Sequence, residues 1–331
     1  MQFAKPPLPF GTQLDQLESR GLAIPDRADA LRVLSHLNYY RLRAYWLGME
    51  KPKGSNGEHS FVPGATFDMA LALYVFDRRL RLLVMDAVEQ VEVSVRTQWA
   101  HHLALKYGSH AYLDRTLFRN PDLYARSLAN LKEEIDRSQE TFIEHYKTTY
   151  GDPPFPPIWA ACEVMSLGQL SKWVGNLGRR QDRQRIAEAY DLDEITLKSF
   201  LHHLTAIRNL CAHHSRLWNR RFTITMKVPT VRPSTALPWF NPVADRQLYN
   251  TLVMLGMLLR AIGPATSWPS RVRSLLDTTP LADPTTMGFP LDWRSRTLWK
   301  PTDEVATGTG EPQAEVRRFE SYRPDHLESD T

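Results

Sequence analysis

Apolar residues recur at steps of three and four from Phe67 to about Lys106, at Leu73, Phe76, Leu80, Leu83, Ala87, Val91 and Val95. This spacing places them on one stripe of a helix, and no proline or glycine interrupts the run. Charge fills the remaining faces, including Asp77, Arg81, Asp86, Glu89, Glu92 and Arg96, so the pattern predicts one long helix. A second helical run spans about Leu123 to Tyr150, with Leu128, Leu131, Ile135, Phe142 and Tyr146 on one side. The segment Pro153-Pro154-Phe155-Pro156-Pro157 stops it, because proline lacks an amide donor and restricts its predecessor. Pro157 suits a first helical turn and opens a helix from Ile158 to about Leu177. Gly178-Arg179-Arg180 breaks that helix, and a short basic one follows to Tyr190. Asp191 or Asp193 then caps a helix carrying Leu197, Phe200, Leu201, Leu204, Ile207 and Cys211.

Outside this middle region the pattern is shorter. Two helices are predicted at about Thr12–Arg20 and Ala28–Trp46, then a Gly/Pro-containing loop over Lys51–Ala65. Phe222–Val228 reads as a short strand among prolines, and Leu248–Ile262 as an apolar helix. The expected fold is all-α: an N-terminal helical extension (1–65), a helical body (66–301) and an acidic, disordered tail (302–331).

Composition narrows the class. Hydrophobic residues make 42% and charged residues 24% of 331, a globular balance. The formal charge of +4 is unevenly spread, since residues 302–331 hold eight acids and three bases, leaving +9 for the rest. The apolar stretch Leu252–Leu259 is far shorter than the ~20 residues a membrane span needs. The opening MQFAKPPLPFG lacks a signal-peptide core, so a cytoplasmic location and free Cys162 and Cys211 are expected. Neither a GxxxxGK[ST] loop nor a GxGxxG fingerprint is present, which argues against a nucleotide cofactor.

Chemistry concentrates in Arg208-Asn209-Leu210-Cys211-Ala212-His213-His214-Ser215-Arg216-Leu217-Trp218-Asn219-Arg220. Asn209 and His213, four apart, share a helix face, so Asn209 can orient the His213 ring. Arg208 and His213 lie about 140° apart around the axis, so they converge on one substrate only through helix distortion or a second copy. Arginine grips phosphate oxygens with paired hydrogen bonds, and imidazole exchanges protons near neutrality. The set suits phosphodiester chemistry. It equally suits a plain helix end whose Arg and His cap carbonyls and pack on Trp218.

The string Arg208–His213 resembles the R-x4–6-H motif of HEPN ribonucleases, and RNLCAHHSRLWNR is similar to its form in Abi-like (AbiD/AbiF-type) abortive-infection proteins. Gln16–Leu22, Leu37–Leu42, Thr66–Arg81, Val91–Arg96 and Pro157–Leu170 resemble further blocks of that family, in family order. The resemblance implies a HEPN-like bundle acting as a metal-independent endoribonuclease toxin in phage defence. It also implies a homodimer, restrained by a small noncoding RNA. Arg208 and His213 become the catalytic pair and Asn209 their polar support. Glu92 and Arg96, four apart on the long helix, read by default as a surface ion pair, and their place in a family block makes them, with Glu163, alternatively candidates for site support; His214 is a further candidate for that role.

Residues 171–227 carry eleven bases against five acids, interleaved with Trp173, Trp218 and Phe222. Arg179, Arg180, Arg183, Arg185, Arg216, Arg220, Arg221 and Trp218, with Tyr40 and Arg41, are therefore candidate RNA contacts. A metal site from Cys211, His213 and His214 or from the pairs His101-His102 and His202-His203 is disfavoured, because adjacent helical side chains diverge by about 100°. The same fold could instead carry a non-catalytic RNA-binding or protein-interaction module.

Overall fold

A computed structural model describes residues 6–52 and 59–300. The acidic segment 302–331 lies outside the described residues, as does part of the loop at 51–65. Helices α1 (Phe10–Ser19), α2 (Arg27–His36) and α3 (Tyr39–Trp46) lead into α4 (Phe67–Tyr107), which is 41 residues and about 62 Å long. The Thr66 hydroxyl accepts from the Met69 amide at 3.1 Å to start α4, and Gly108 at φ +94° ends it. Helices α5 (Pro121–Arg137), α6 (Thr141–Thr149), α7 (Ile158–Ala161), α8 (Leu167–Asn176), α9 (Arg180–Glu188) and α10 (Glu194–Ala212) follow. Helices α11 (Leu248–Ile262) and α12 (Trp268–Asp277) complete the all-α body.

The long helix is the axis of the molecule. Its stripe of Leu73, Phe76, Leu80, Ala87, Val91 and Val95 is buried as expected, Leu83 is only half-buried, and α3, α7, α8, α9, α10, α11 and α12 pack around the helix. The apolar cluster it organises runs from Leu14 to Trp299. Helix α11 is buried along nearly its whole length, and Phe289, Trp293 and Trp299 close over Tyr249.

Three helices expected to be continuous are divided. Leu37-Asn38 separates α2 from α3, because the Asn38 side chain accepts from the Tyr40 amide at 2.8 Å and begins a new helix. Ser138 separates α5 from α6 with extended backbone. The run from Ile158 yields one α-turn and one 3-10 turn before Ser166 restarts it. There the Ser166 and Gln169 side chains each satisfy the other's backbone amide, a capping box. Asp193, rather than Asp191, caps α10 through the Ile195 and Thr196 amides.

The strand expected over Phe222–Val228 does not form. Among the described residues only isolated bridges occur, and this segment is tied to neighbours one bond at a time. The Phe222 amide donates to the Arg246 carbonyl at 2.8 Å, and the Lys227 amide to the Ser199 hydroxyl at 2.9 Å. His203 secures it further: Nδ1 donates to the Ile224 carbonyl at 2.7 Å while Nε2 accepts from Thr251 Oγ1 at 2.8 Å. Among the described residues, no helix is long and apolar enough to cross a membrane.

Candidate functional site

The end of α10 carries the motif, and its geometry follows from how the helix stops. His213 is the C-cap and His214 adopts φ +55°, the left-handed conformation usually left to glycine. The His214 amide donates to the Cys211 carbonyl (3.0 Å) and the Ser215 amide to the Leu210 carbonyl (2.8 Å). This is a Schellman closure with histidine in the glycine position. The Cβ in that conformation costs on the order of 1–2 kcal/mol. Replacing His214 with glycine relieves it, and the Arg41 bond to this residue survives because it reaches the backbone carbonyl (2.7 Å). We expect His214→Gly to gain about 0.5–1 kcal/mol, after the entropy that glycine loses on folding. A thermal melt checks this, and an unchanged or lower melting temperature would show that the conformation is unstrained.

A buried acid holds the loop that follows. Asp77, fully buried on α4, accepts from the Leu217 and Trp218 amides at 3.0 and 2.6 Å and from the Tyr45 hydroxyl at 2.6 Å, and it pairs with Arg81. Burial first, then the Asp77 charge, pushes the Tyr45 phenol well above its ordinary range, so it stays a donor. Arg41 of α3 and Asp77 of α4 thus brace the motif loop from opposite ends. Neither Asp77 nor Tyr45 stands out in the sequence as a site residue.

The motif side chains part around the helix. Exposed His213 and Asn209 line a groove of about 300 Å3 with Arg220, Arg221 and Phe222. Half-buried Arg208 does not line it. Its guanidinium donates to Asn209 Oδ1 at 3.4 Å and is close enough to Glu92 of α4 to favour that carboxylate's charged form. The Asn209 side chain therefore meets Arg208 rather than the His213 ring, which differs from the expected support.

On the Arg208 side, Arg96 gathers Glu92 (2.5 Å), Glu163 (3.4 Å) and the Met165 carbonyl (2.6 Å). Burial raises the Glu92 pKa above the usual carboxylate range, outweighing the opposing pull of Arg96 and then Arg208. Glu92, Arg96 and Glu163 are thus brought together, while His214 sits at the helix end. Burial pushes the Cys211 thiol up to about 12, which leaves it an inert core residue. No group of three or more His, Cys, Asp or Glu side chains converges among the described residues as metal ligands would.

The candidate RNA contacts divide by exposure. Arg179, Arg180, Arg185, Arg221, Tyr40 and Arg41 are exposed, and Arg216 and Arg220 are half-buried, bonded to loop carbonyls. Two assignments are corrected. Arg183 is buried, with its guanidinium on Glu194 (2.8 Å) and the Leu177 carbonyl (2.5 Å), so it is structural. Trp218 is also buried, stacked on Tyr45 with ring centroids 6.3 Å apart, and offers no face to a base. Trp173 and Phe222 are buried too, so the aromatic surface expected among these bases is absent.

Fold and site together define an all-α protein that presents an Arg-Asn-x3-His motif from a braced helix end. Residues 32–219 match the model of the Abi-like protein family, more than half of the chain, and the protein belongs to that family. Membership implies a part in abortive-infection defence. No protein of curated function and no solved structure matches the chain. The match ends at the motif loop, leaving α11 and α12 beyond it.

Proposed function

We propose that the chain is a HEPN-type, metal-independent endoribonuclease of abortive infection, working as a homodimer and restrained by a small noncoding RNA. The observation that carries this reading is the helix end itself. Arg208, Asn209 and His213 reach solvent from a turn whose backbone is fixed by a Schellman closure and by Asp77. Fixed geometry of this kind is what catalysis by positioning needs.

In the proposed reaction a ribose 2′-oxygen forms a bond to the adjacent phosphorus while the bond from phosphorus to the 5′-oxygen breaks. Imidazole takes the 2′-OH proton, and a proton is delivered to the departing 5′-oxygen, leaving a 2′,3′-cyclic phosphate and a 5′-OH. His213 serves in this proton transfer, a role worth ~10²–10⁴ in rate. Arg208 grips the phosphate and stabilises the charge that grows on it, worth ~10²–10³. Because the two side chains leave α10 on different sides, a second copy completes each site. Val93, next to Glu92 on α4, is 48% exposed and provides apolar surface for that contact.

The test is cleavage of RNA by purified protein in EDTA, beside Arg208→Ala and His213→Ala. The expected result is 2′,3′-cyclic phosphate ends from the wild type and a loss of at least ~10² in each variant. RNA bound by all three proteins and cut by none would instead mark a non-catalytic RNA-binding module.

A further inference from the structure

A second cavity, of about 660 Å3, opens between the C-terminal part of α4 and α9. His102 and Lys106 line it from α4, and Arg180, Gln181, Gln184 and Arg185 from α9. Its acids are already engaged. Asp182 accepts from Lys106 at 2.6 Å and from the Tyr107 hydroxyl at 2.8 Å, and Glu188 pairs with Arg185 at 3.0 Å. Glu194 is tied to buried Arg183 and lies 3.7 Å from Arg180. Even so, the Arg180 and Arg185 side chains keep 77% and 70% of their surface in water. Arg179 lies beside them, 5.9 Å above the Tyr107 ring. Burial, then His101 and Arg185, hold His102 below the ordinary imidazole range, in keeping with a cationic setting. The proposed reaction uses none of these groups.

Two helices relate this cavity to the motif. Lys106 lies fourteen residues beyond Glu92, the carboxylate that faces Arg208, which is about 21 Å along α4 and within about 40° of the same side. Helix α10 gives the same span, since Glu194, bound to α9, precedes Arg208 by fourteen residues or about 21 Å.

We infer that the α4–α9 cavity is a second RNA-binding groove, which anchors the sugar–phosphate backbone of the substrate away from the bond under attack. This rests on the ribonuclease reading above. At ~3.4 Å per stacked nucleotide, the 21 Å span corresponds to roughly six nucleotides. The donors suit a backbone rather than a base sequence: guanidinium forks match phosphate oxygens, and the exposed Gln181 amide suits sugar hydroxyls, while the Gln184 amide is held by the Leu192 carbonyl and the Glu194 amide. The His102 ring lines the cavity and is set edge to face with His101 at 5.5 Å, which adds a flat ring on which a base can stack. A nucleic acid is favoured over an acidic protein because one continuous strand reaches both Arg208 and this cavity.

The experiment measures binding of labelled single-stranded RNAs of 4 and 20 nucleotides, 2′-O-methylated so that the proposed reaction cannot cut them, to the full chain over a range of salt. Arg180→Ala/Arg185→Ala is compared with wild type and with Arg126→Ala/Arg137→Ala, which removes two exposed cations of α5. The wild type is expected to bind the 20-mer at least tenfold more tightly than the 4-mer. The Arg180/Arg185 variant should lose that length preference, and its log–log salt slope should shrink by about 1.4. The α5 variant should keep both. An Arg180/Arg185 variant that matches wild type in affinity and slope would overturn the groove while leaving the ribonuclease reading intact. A wild type that neither binds nor cuts RNA would overturn both, and an acidic protein would become the occupant to seek.

Discussion

Two inactive variants, Arg208→Ala and His213→Ala, are expected to restore RNA cleavage when combined in one dimer. Each alone should fall by at least ~10², since one lacks the phosphate grip and the other the proton carrier. In a two-fold dimer whose sites each take Arg208 from one copy and His213 from the other, a mixed dimer has one site with both residues and one with neither. Random exchange makes half the dimers mixed, so the mixture recovers about a quarter of wild-type activity. The geometry behind this is specific. Arg208 turns toward Glu92 of α4, whereas His213 faces the groove of Arg220 and Arg221. The helix cannot easily twist to reunite them, because Asp77 and the Schellman bonds fix its end. Differently tagged copies, co-expressed and purified through both tags, supply the mixed dimer directly. If that species stays as inactive as its parents, the composite site is wrong and each chain must complete its own.

Periodicity was sufficient for α4, whose long apolar stripe no proline or glycine interrupts, and for α11, where the apolar residues are dense enough to read as a helix across Gly256. It failed where a side chain competes with the helix for a backbone amide. Asn38 and Ser166 lie inside apolar patterns that continue across them, yet each caps a new helix. Ser166-x-x-Gln169 is a readable capping box, so that break had a local signal. At Ser138 the hydroxyl likewise accepts from an amide two residues on, that of Glu140 at 3.2 Å, but no Gln or Glu three residues later completes a capping box around it.

The site was half visible for a similar reason. The motif residues are neighbours in sequence, so spacing alone separates Arg208 from His213. Burial is not local, however. Trp218 and Arg183 look like an exposed aromatic and an exposed cation until Tyr45 and Glu194 are known to cover them. Asp77 is the extreme case. It stands among Arg78, Arg79 and Arg81 in what reads as a solvated helix face, and its amide partners are 140 and 141 residues away. No pattern along the chain reports such a contact.

That makes Asp77 the position where substitution should cost most in stability. Asp77→Ala leaves the Arg81 guanidinium buried without its counter-ion and strands the Leu217 and Trp218 amides, a loss of about 3–5 kcal/mol. Asp77→Asn should be little better. Its carbonyl can accept from the two amides and its NH₂ can donate to the Tyr45 hydroxyl, but that NH₂ would face the Arg81 guanidinium, donor against donor, with the ion pair lost. Arg81→Met is the informative contrast, being similar in length and leaving Asp77 with three of its four donors. It should cost less than Asp77→Asn by about 1–2 kcal/mol, because hydrogen bonds to a charged acceptor are worth ~1.5–3 kcal/mol each. Chemical denaturation of the three variants measures these differences. Equal losses in Asp77→Asn and Arg81→Met would mean that the ion pair, not the grip on the loop, is what matters. The expected order instead makes Asp77 the residue through which the core of the bundle holds the Arg208–His213 helix end in place. In that case Arg81→Met keeps more of the RNA cleavage than Asp77→Asn at equal folded fraction, since a neutral amide oxygen holds the Leu217 and Trp218 amides more weakly than the carboxylate does.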